Sequence, residues 1–167
     1  LGALDSSAIS RVCEEERPDP RDSDELHDDL LSAGCLTEQE LEHVDRDYLR
    51  TLHQARRATL ARVSTDRPAL VVAAERLPEL MAIVPTLATA DAVVPPASRM
   101  TRSWSREEAL VEVIRGRVAI VGPTTAPELA APLGIEATAV DAALEQLESQ
   151  GVVLRGVFRS SGLKPGP

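Results

Sequence analysis

Two sets of charged side chains at helical spacing carry the chemistry that this sequence offers. Arg46, Arg50, His53 and Arg57 fall at i, i+4, i+7 and i+11. A helix gathers that spacing on one face, a cationic stripe suited to phosphate oxygens. Arg56 lies beside the stripe, and Arg62 and Arg67 fall on the hairpin expected after it. The candidate nucleic-acid-binding residues are therefore Arg46, Arg50, His53, Arg57, Arg62 and Arg67, with Gln54 or Arg50 placed near base edges. The competing reading neutralises Arg46 and Arg50 with Asp45, Asp47 and the acids of the preceding helix. The second set has the opposite sign. Asp141, Glu145 and Glu148 form one acidic stripe, which phosphates repel. That helix is expected to face solvent or a partner protein. A further basic group, Arg99, Arg102, Arg106, Arg115 and Arg117, is diluted by Glu107, Glu108 and Glu112.

Other chemistries are excluded on spacing. Asp24-Glu25-Leu26-His27 spells the acidic box that holds magnesium-ATP in nucleic-acid motors. A working box ends a buried strand, and the preceding "RPDPRDS" cannot form one. The phosphate loop needs a Lys after glycine, but the only Lys is Lys164, followed by Pro165. His27, His43 and His53 have no partners at metal-ligand spacing, so no metal site is expected. No serine sits in a Gly-x-Ser-x-Gly turn. Trp104 precedes a helix cap and is read as a staple onto the core.

The positioning elements form two similar series. "DELHDDLLSAG" predicts a helix with Leu26, Leu30 and Ala33 on one face, stopped near Gly34. Thr37-Glu38-Gln39-Glu40 is a capping-box spacing. Residues 46–57 read as a third helix, and "ATLARVSTDRPALVVAAE" as a hairpin turning at Asp66-Arg67-Pro68. "RLPELMAIVP" reads as a short helix. Downstream, Ser105-Arg106-Glu107-Glu108 caps a helix expected to stop at Gly116. "RVAIVGP", residues 117–123, is β-branched and ends in Gly-Pro, so it predicts a strand. Thr125-Ala126-Pro127-Glu128 caps a second, short helix, and residues 137–150 a third, stopped by Gly151. "VVLRGVFRS" predicts a closing hairpin. Each series has the order of a winged helix-turn-helix. The expected fold class is α+β, mainly helical, with tandem winged helix-turn-helix units. Its parts are an incoming helix and connector (1–20), a first unit (21–85), a linker (86–104), a second unit (105–160) and a tail (161–167). Each unit carries its own caps and apolar faces, so the two are expected to fold with little mutual dependence.

The chain has 167 residues, 43% hydrophobic and 27% charged, with net charge −9 from 27 acids and 18 bases. That balance argues against a general phosphate-backbone binder. The acidity is local: residues 1–98 hold 19 acids and 10 bases, residues 99–167 hold 8 of each. Cys13 and Cys35 match no metal spacing, and no signal peptide precedes them, so reduced thiols in a cytoplasmic setting are expected. No apolar run is long enough for a membrane span. The chain begins at Leu1 in mid-pattern and reads as a piece of a larger polypeptide.

"DELHDDLL…GCLTEQEL", "ARRATLARVSTDRPALVVAAERLPEL" and "IRGRVAIVGPTTAPELAAPLGIEATAVDAALEQLESQGVVLRGVF" resemble the C-terminal half of the large helicase-related (Lhr) proteins. The resemblance implies a non-motor segment of an ATP-dependent DNA helicase that contributes DNA binding in repair. It implies partners in DNA and the rest of the parent chain, with a homo-oligomer as a further possibility and no membrane. It implies no cofactor here, ATP and magnesium belonging to upstream motor domains, and no enzymatic activity in this segment. Parts of that family are associated with base-removing glycosylase chemistry, but no carboxylate here is matched to it. The alternatives are a structural or protein-assembly module without DNA contact, and a winged-helix transcription regulator.

Overall fold

A computed structural model describes residue 11 and residues 17–156. The described residues are α+β, about half of them helical, with one four-stranded antiparallel sheet of order β1-β3-β2-β4. Helix α1 is Ser23–Ala33, and its N-cap Asp22 accepts hydrogen bonds from the N–H groups of Asp24 and Glu25. Leu26, Leu30 and Ala33 recur one turn apart and are fully buried. The helix ends at Gly34, whose φ of 80° suits glycine. Strand β1, Leu36–Thr37, leads into residues 38–43, which make turns rather than a regular helix. The expected Thr37–Glu40 box is present there, each residue's N–H donating to the other's side chain. Helix α2, Arg46–Gln54, is capped by Asp45. It stops three residues short of the expected end, and Arg56 takes a φ of 55°.

Strands β2, Ala58–Arg62, and β3, Leu70–Ala73, pair with Ala58 opposite Ala73 and Ala61 opposite Leu70. Side chains alternate across a strand, and β3 is buried on both faces. Val71 and Ala73 join Leu26, Leu30, Leu36 and Leu52 on one side. Leu70 and Val72 join Leu80, Leu110, Ile114 and Leu147 on the other. The second cluster draws on both halves of the chain. A short 3-10 turn, Ala74–Arg76, runs into α3, Leu77–Ile83. Within the stretch expected to be a linker, β4, Ala88–Thr89, adds to the edge of β2, and α4, Ala97–Met100, makes one turn.

Helix α5, Arg106–Val121, starts at a complete Ser105/Glu108 capping box. It corrects two expectations: Gly116 does not stop it, and residues 117–121 are helical, not a strand. The reason is a close crossing. A Cβ at Gly116 would collide with the Ser32 carbonyl and lie 2.9 Å from the Ala33 carbonyl carbon. Glycine here lets α5 touch α1. Gly116→Ala should therefore lower the melting temperature, although alanine favours helix by about 1 kcal/mol. Overpacking costs about 1–3 kcal/mol and outweighs that gain. A thermal melt followed by circular dichroism checks the sign; a stabilised variant would rule out the crossing.

Helix α6, Ala126–Leu133, begins at a Thr125/Glu128 capping box and ends at Gly134 in the left-handed region. Helix α7, Ala137–Ser149, buries Val140, Ala143 and Leu147. Residues 152–156 form no strand, and 157–160, the rest of the expected hairpin, lie outside the described residues. Among the described residues no helix is long and apolar enough to cross a membrane.

Candidate nucleic-acid interface

The six residues expected to bind nucleic acid separate into two groups. Arg46, Arg50 and His53 share one face of α2 and line a groove of about 440 Å³ between that helix, the 38–43 turns and the sheet. Glu38 and Glu42, on the 38–43 turns, line it as well, together with the buried Thr59 of β2. Arg50 Nη1 donates to Asp47 at 2.5 Å, in keeping with the competing reading of the sequence. Both side chains are more than 60% exposed, and such a pair contributes little to stability. His53 Nε2 lies 2.7 Å from the Asp91 carboxylate, also at the surface.

Arg57 leaves the stripe because α2 has already ended. Its guanidinium turns back to α1, donating to Asp24 and lying 3.0 Å from His27 Nδ1. His27 Nε2 meets Glu75 at 3.2 Å, so the box-like tetrapeptide is tied into an ion network. The hydrogen bond and then the charge of Arg57 hold the Asp24 carboxyl below its ordinary range. Arg67 donates to the Ala131 carbonyl at 2.5 Å and fastens the hairpin loop to α6. Arg62 is exposed at the end of β2, outside the groove lining.

The groove wall has a support that spacing alone does not reveal. Glu40, on the same turns as Glu38 and Glu42, accepts a two-pronged hydrogen bond from Arg117 of α5, at 2.5 and 3.0 Å. Arg117 is buried and also donates to the Cys35 carbonyl at 2.9 Å. Fork-to-carboxylate pairing fixes geometry as well as charge. Burial alone would raise the Glu40 carboxyl, but hydrogen bonding and charge from Arg117, with Thr37, bring it below the usual glutamate value. A depressed acid stabilises the fold above its unfolded value, near 4.3, and that stability is lost as pH falls through the folded value. Urea midpoints should therefore hold from neutrality to about pH 5 and fall below about pH 4. The drop should shrink in Glu40→Gln.

The acidic stripe of α7 is not left bare. Arg155 donates to the Asp141 carbonyl at 3.1 Å and lies 3.3 Å from Glu148 and 3.9 Å from Glu145. Of the second basic group, Arg115 reaches Glu112 and Gln150, Arg106 donates to the Ile83 carbonyl, and Arg117 is internal. Burial pushes the Cys35 thiol up to about 11, so it is protonated and inert at neutral pH. Cys13 lies outside the described residues. Among the described residues no cluster of His, Cys, Asp and Glu could hold a metal ion.

Reading Thr37-Glu38-Gln39-Glu40 as a helix cap alone misses Glu38 and Glu42 as groove residues. They lie on turns rather than on a helix, so no helical spacing points to them. No curated protein matches the chain significantly. A family model described as DNA glycosylase AlkZ-like matches residues 5–159. That match overturns the expectation of a helicase-related segment, and with it the parent helicase as partner. It also overturns the reading of a non-enzymatic module, because the family is one of DNA glycosylases.

Proposed function

This chain belongs to the AlkZ-like DNA glycosylase family, and on that premise we propose that it acts on DNA in repair, hydrolysing the bond between a base and its deoxyribose. The match over residues 5–159 carries this reading. The groove beside α2 supplies groups suited to it. Arg46, Arg50 and His53 contact backbone phosphates, and an enzyme that works on a base takes it out of the stack into a pocket. Glu38 or Glu42 then accepts a proton from water as the water oxygen bonds to C1′. The C1′–N bond breaks, its electron pair leaves with the base nitrogen, and an abasic sugar remains. The antiparallel order β1-β3-β2, preceded by α1 and interrupted by α2, supports reading residues 23–73 as a winged helix with α2 as its recognition helix. For residues 105–160 the α5–α6–α7 order supports only the helical part of such a unit.

The experiment is incubation of the protein with duplexes carrying alkylated bases, followed by alkaline cleavage at abasic sites. Strand scission is expected, and Glu38→Gln and Glu42→Gln identify which carboxylate it needs while DNA affinity holds. No scission with any lesion, at concentrations where DNA is bound, would reject the activity.

Binding itself should depend on the groove. Removing one phosphate contact flattens the salt dependence of affinity by about 0.9. Arg46→Ala with Arg50→Ala should therefore reduce that slope by about two and weaken all sequences alike. Arg57→Ala should leave the slope unchanged, since that side chain is engaged with Asp24 and His27. Fluorescence anisotropy at several salt concentrations reads both; an unaltered slope in the double variant removes α2 from the interface.

A further inference from the structure

A second cavity lies away from α2, where α3, α4 and the start of α5 meet, with a volume of about 250 Å³. Arg76, Glu79, Arg99, Arg102, Trp104 and Glu112 line it. Its floor is built from charge. Glu79 is 1% exposed, and its Oε1 accepts from Arg76 Nη1 at 3.1 Å. Its Oε2 is buried with no hydrogen-bond partner among the described residues, and so is Arg76 Nε. A buried carboxylate oxygen without a donor costs free energy unless something supplies one. Glu112 lies 3.6 Å from the other side of Arg76 and 3.5 Å from Arg115.

The rim has the complementary chemistry. The Arg102 guanidinium lies over Trp104, 3.5 Å from the ring centroid, and makes a planar platform. Guanidinium planes stack nucleobases as aromatic rings do. Arg99 is exposed and has no ion-pair partner among the described residues, so two cations flank the opening. The volume falls below the roughly 300–1,000 Å³ of a drug-sized site and suits a single ring. An acceptor at the floor, a stacking plane at the side and cations at the mouth select a ring with an amino donor that carries a phosphate.

We propose that the Glu79–Arg102–Trp104 cavity binds one amino-bearing nucleobase with its 5′-phosphate, Glu79 Oε2 accepting from the amino group, Arg102 stacking the ring, and Arg99 and Arg102 holding the phosphate. The site is distinct from the groove beside α2 and does not require that groove to be catalytic.

Trp104 is the only tryptophan in the chain and lines this cavity; it also borders a neighbouring one with Pro78, Met81 and Pro95, so the Glu79 variant assigns the signal to this cavity. The full chain is titrated with 2′-deoxycytidine 5′-monophosphate, thymidine 5′-monophosphate and deoxyribose 5-phosphate. The two bases differ at position 4, an amino donor against a carbonyl, at N3, a bare acceptor against an N–H, and at C5, a hydrogen against a methyl. The cytidine nucleotide should give a saturable change, and the thymidine nucleotide should bind about tenfold more weakly, because a carbonyl leaves Glu79 unpaired. The sugar phosphate should give no saturable change. Arg99→Ala and Arg102→Ala alter exposed side chains and should each weaken the cytidine nucleotide severalfold. Glu79→Gln should abolish the preference between the two bases. No saturable change with either nucleotide would overturn the proposal. An equal response to the sugar phosphate, or full affinity in Arg102→Ala, would overturn it too. Base release from duplex DNA is measured separately, so failure here leaves the glycosylase reading standing, and the reverse.

Discussion

Residues 103–162, expressed alone, should show no cooperative helical melt, whereas the whole chain should. The piece keeps both capping boxes, but it lacks the surface that α5 is buried against. Leu110, Val113 and Ile114 share their cluster with Leu70 and Val72 of β3 and with Leu77 and Leu80 of α3. Each such side chain contributes about 1.5–3 kcal/mol when fully buried. Exposing three of them removes an amount comparable to the net stability of a whole domain, about 5–15 kcal/mol. The same helix is also parted from α1 at Gly116 and from Glu40 at Arg117. The two halves are thus coupled by one core, contrary to the independence that their separate caps suggest. Circular dichroism against temperature and urea checks this; a two-state transition in the isolated piece would show that α5, α6 and α7 bury enough between themselves.

Arg117→Met should lower stability by about 3–5 kcal/mol, the usual result of removing one partner from a buried ion pair. The variant leaves the Glu40 carboxylate facing a thioether, and the Cys35 carbonyl without its donor. For a chain of this size the melting temperature should fall by roughly 6 °C or more. Arg117→Lys should recover only part of the loss, because an ammonium cannot reproduce the fork that spans both Glu40 oxygens. A functional readout separates this from general weakening. Glu40 anchors the turns that carry Glu38 and Glu42, so DNA affinity should fall in Arg117→Met even at temperatures where it remains folded. The acid-dependent drop in urea midpoint should shrink as well, since Glu40 no longer has a cation to lose. A wild-type midpoint in Arg117→Met would show that the turns are held by Thr37 and Leu41 alone.

The sequence by itself determined what depends on neighbouring turns. Ser105 with Glu108, and Thr125 with Glu128, cap their helices as their spacing requires. Leu26, Leu30 and Ala33 face inward at one-turn intervals, and Arg46, Arg50 and His53 share a face of α2 for the same reason. These relations reach three or four residues along the chain, or one helical face, and local geometry decides them. Tertiary structure decided everything that needed a partner far along the chain. Val118, Ile120 and Val121 are β-branched and read as a strand, but they continue α5 and pack, half-buried, against the two core clusters, because packing overrides a weak intrinsic preference. Gly116 carries the same letter whether it ends a helix or lets two helices touch, and only Ser32 and Ala33 across the gap distinguish the two. Arg117 and Arg57 have the local pattern of surface cations. Their destinations, Glu40 and Asp24, lie 77 and 33 residues away in sequence. The turns that carry Glu38 and Glu42 are held locally by the Thr37–Glu40 box and from a distance by Arg117 of α5, and no local spacing encodes that second contact, made across the core.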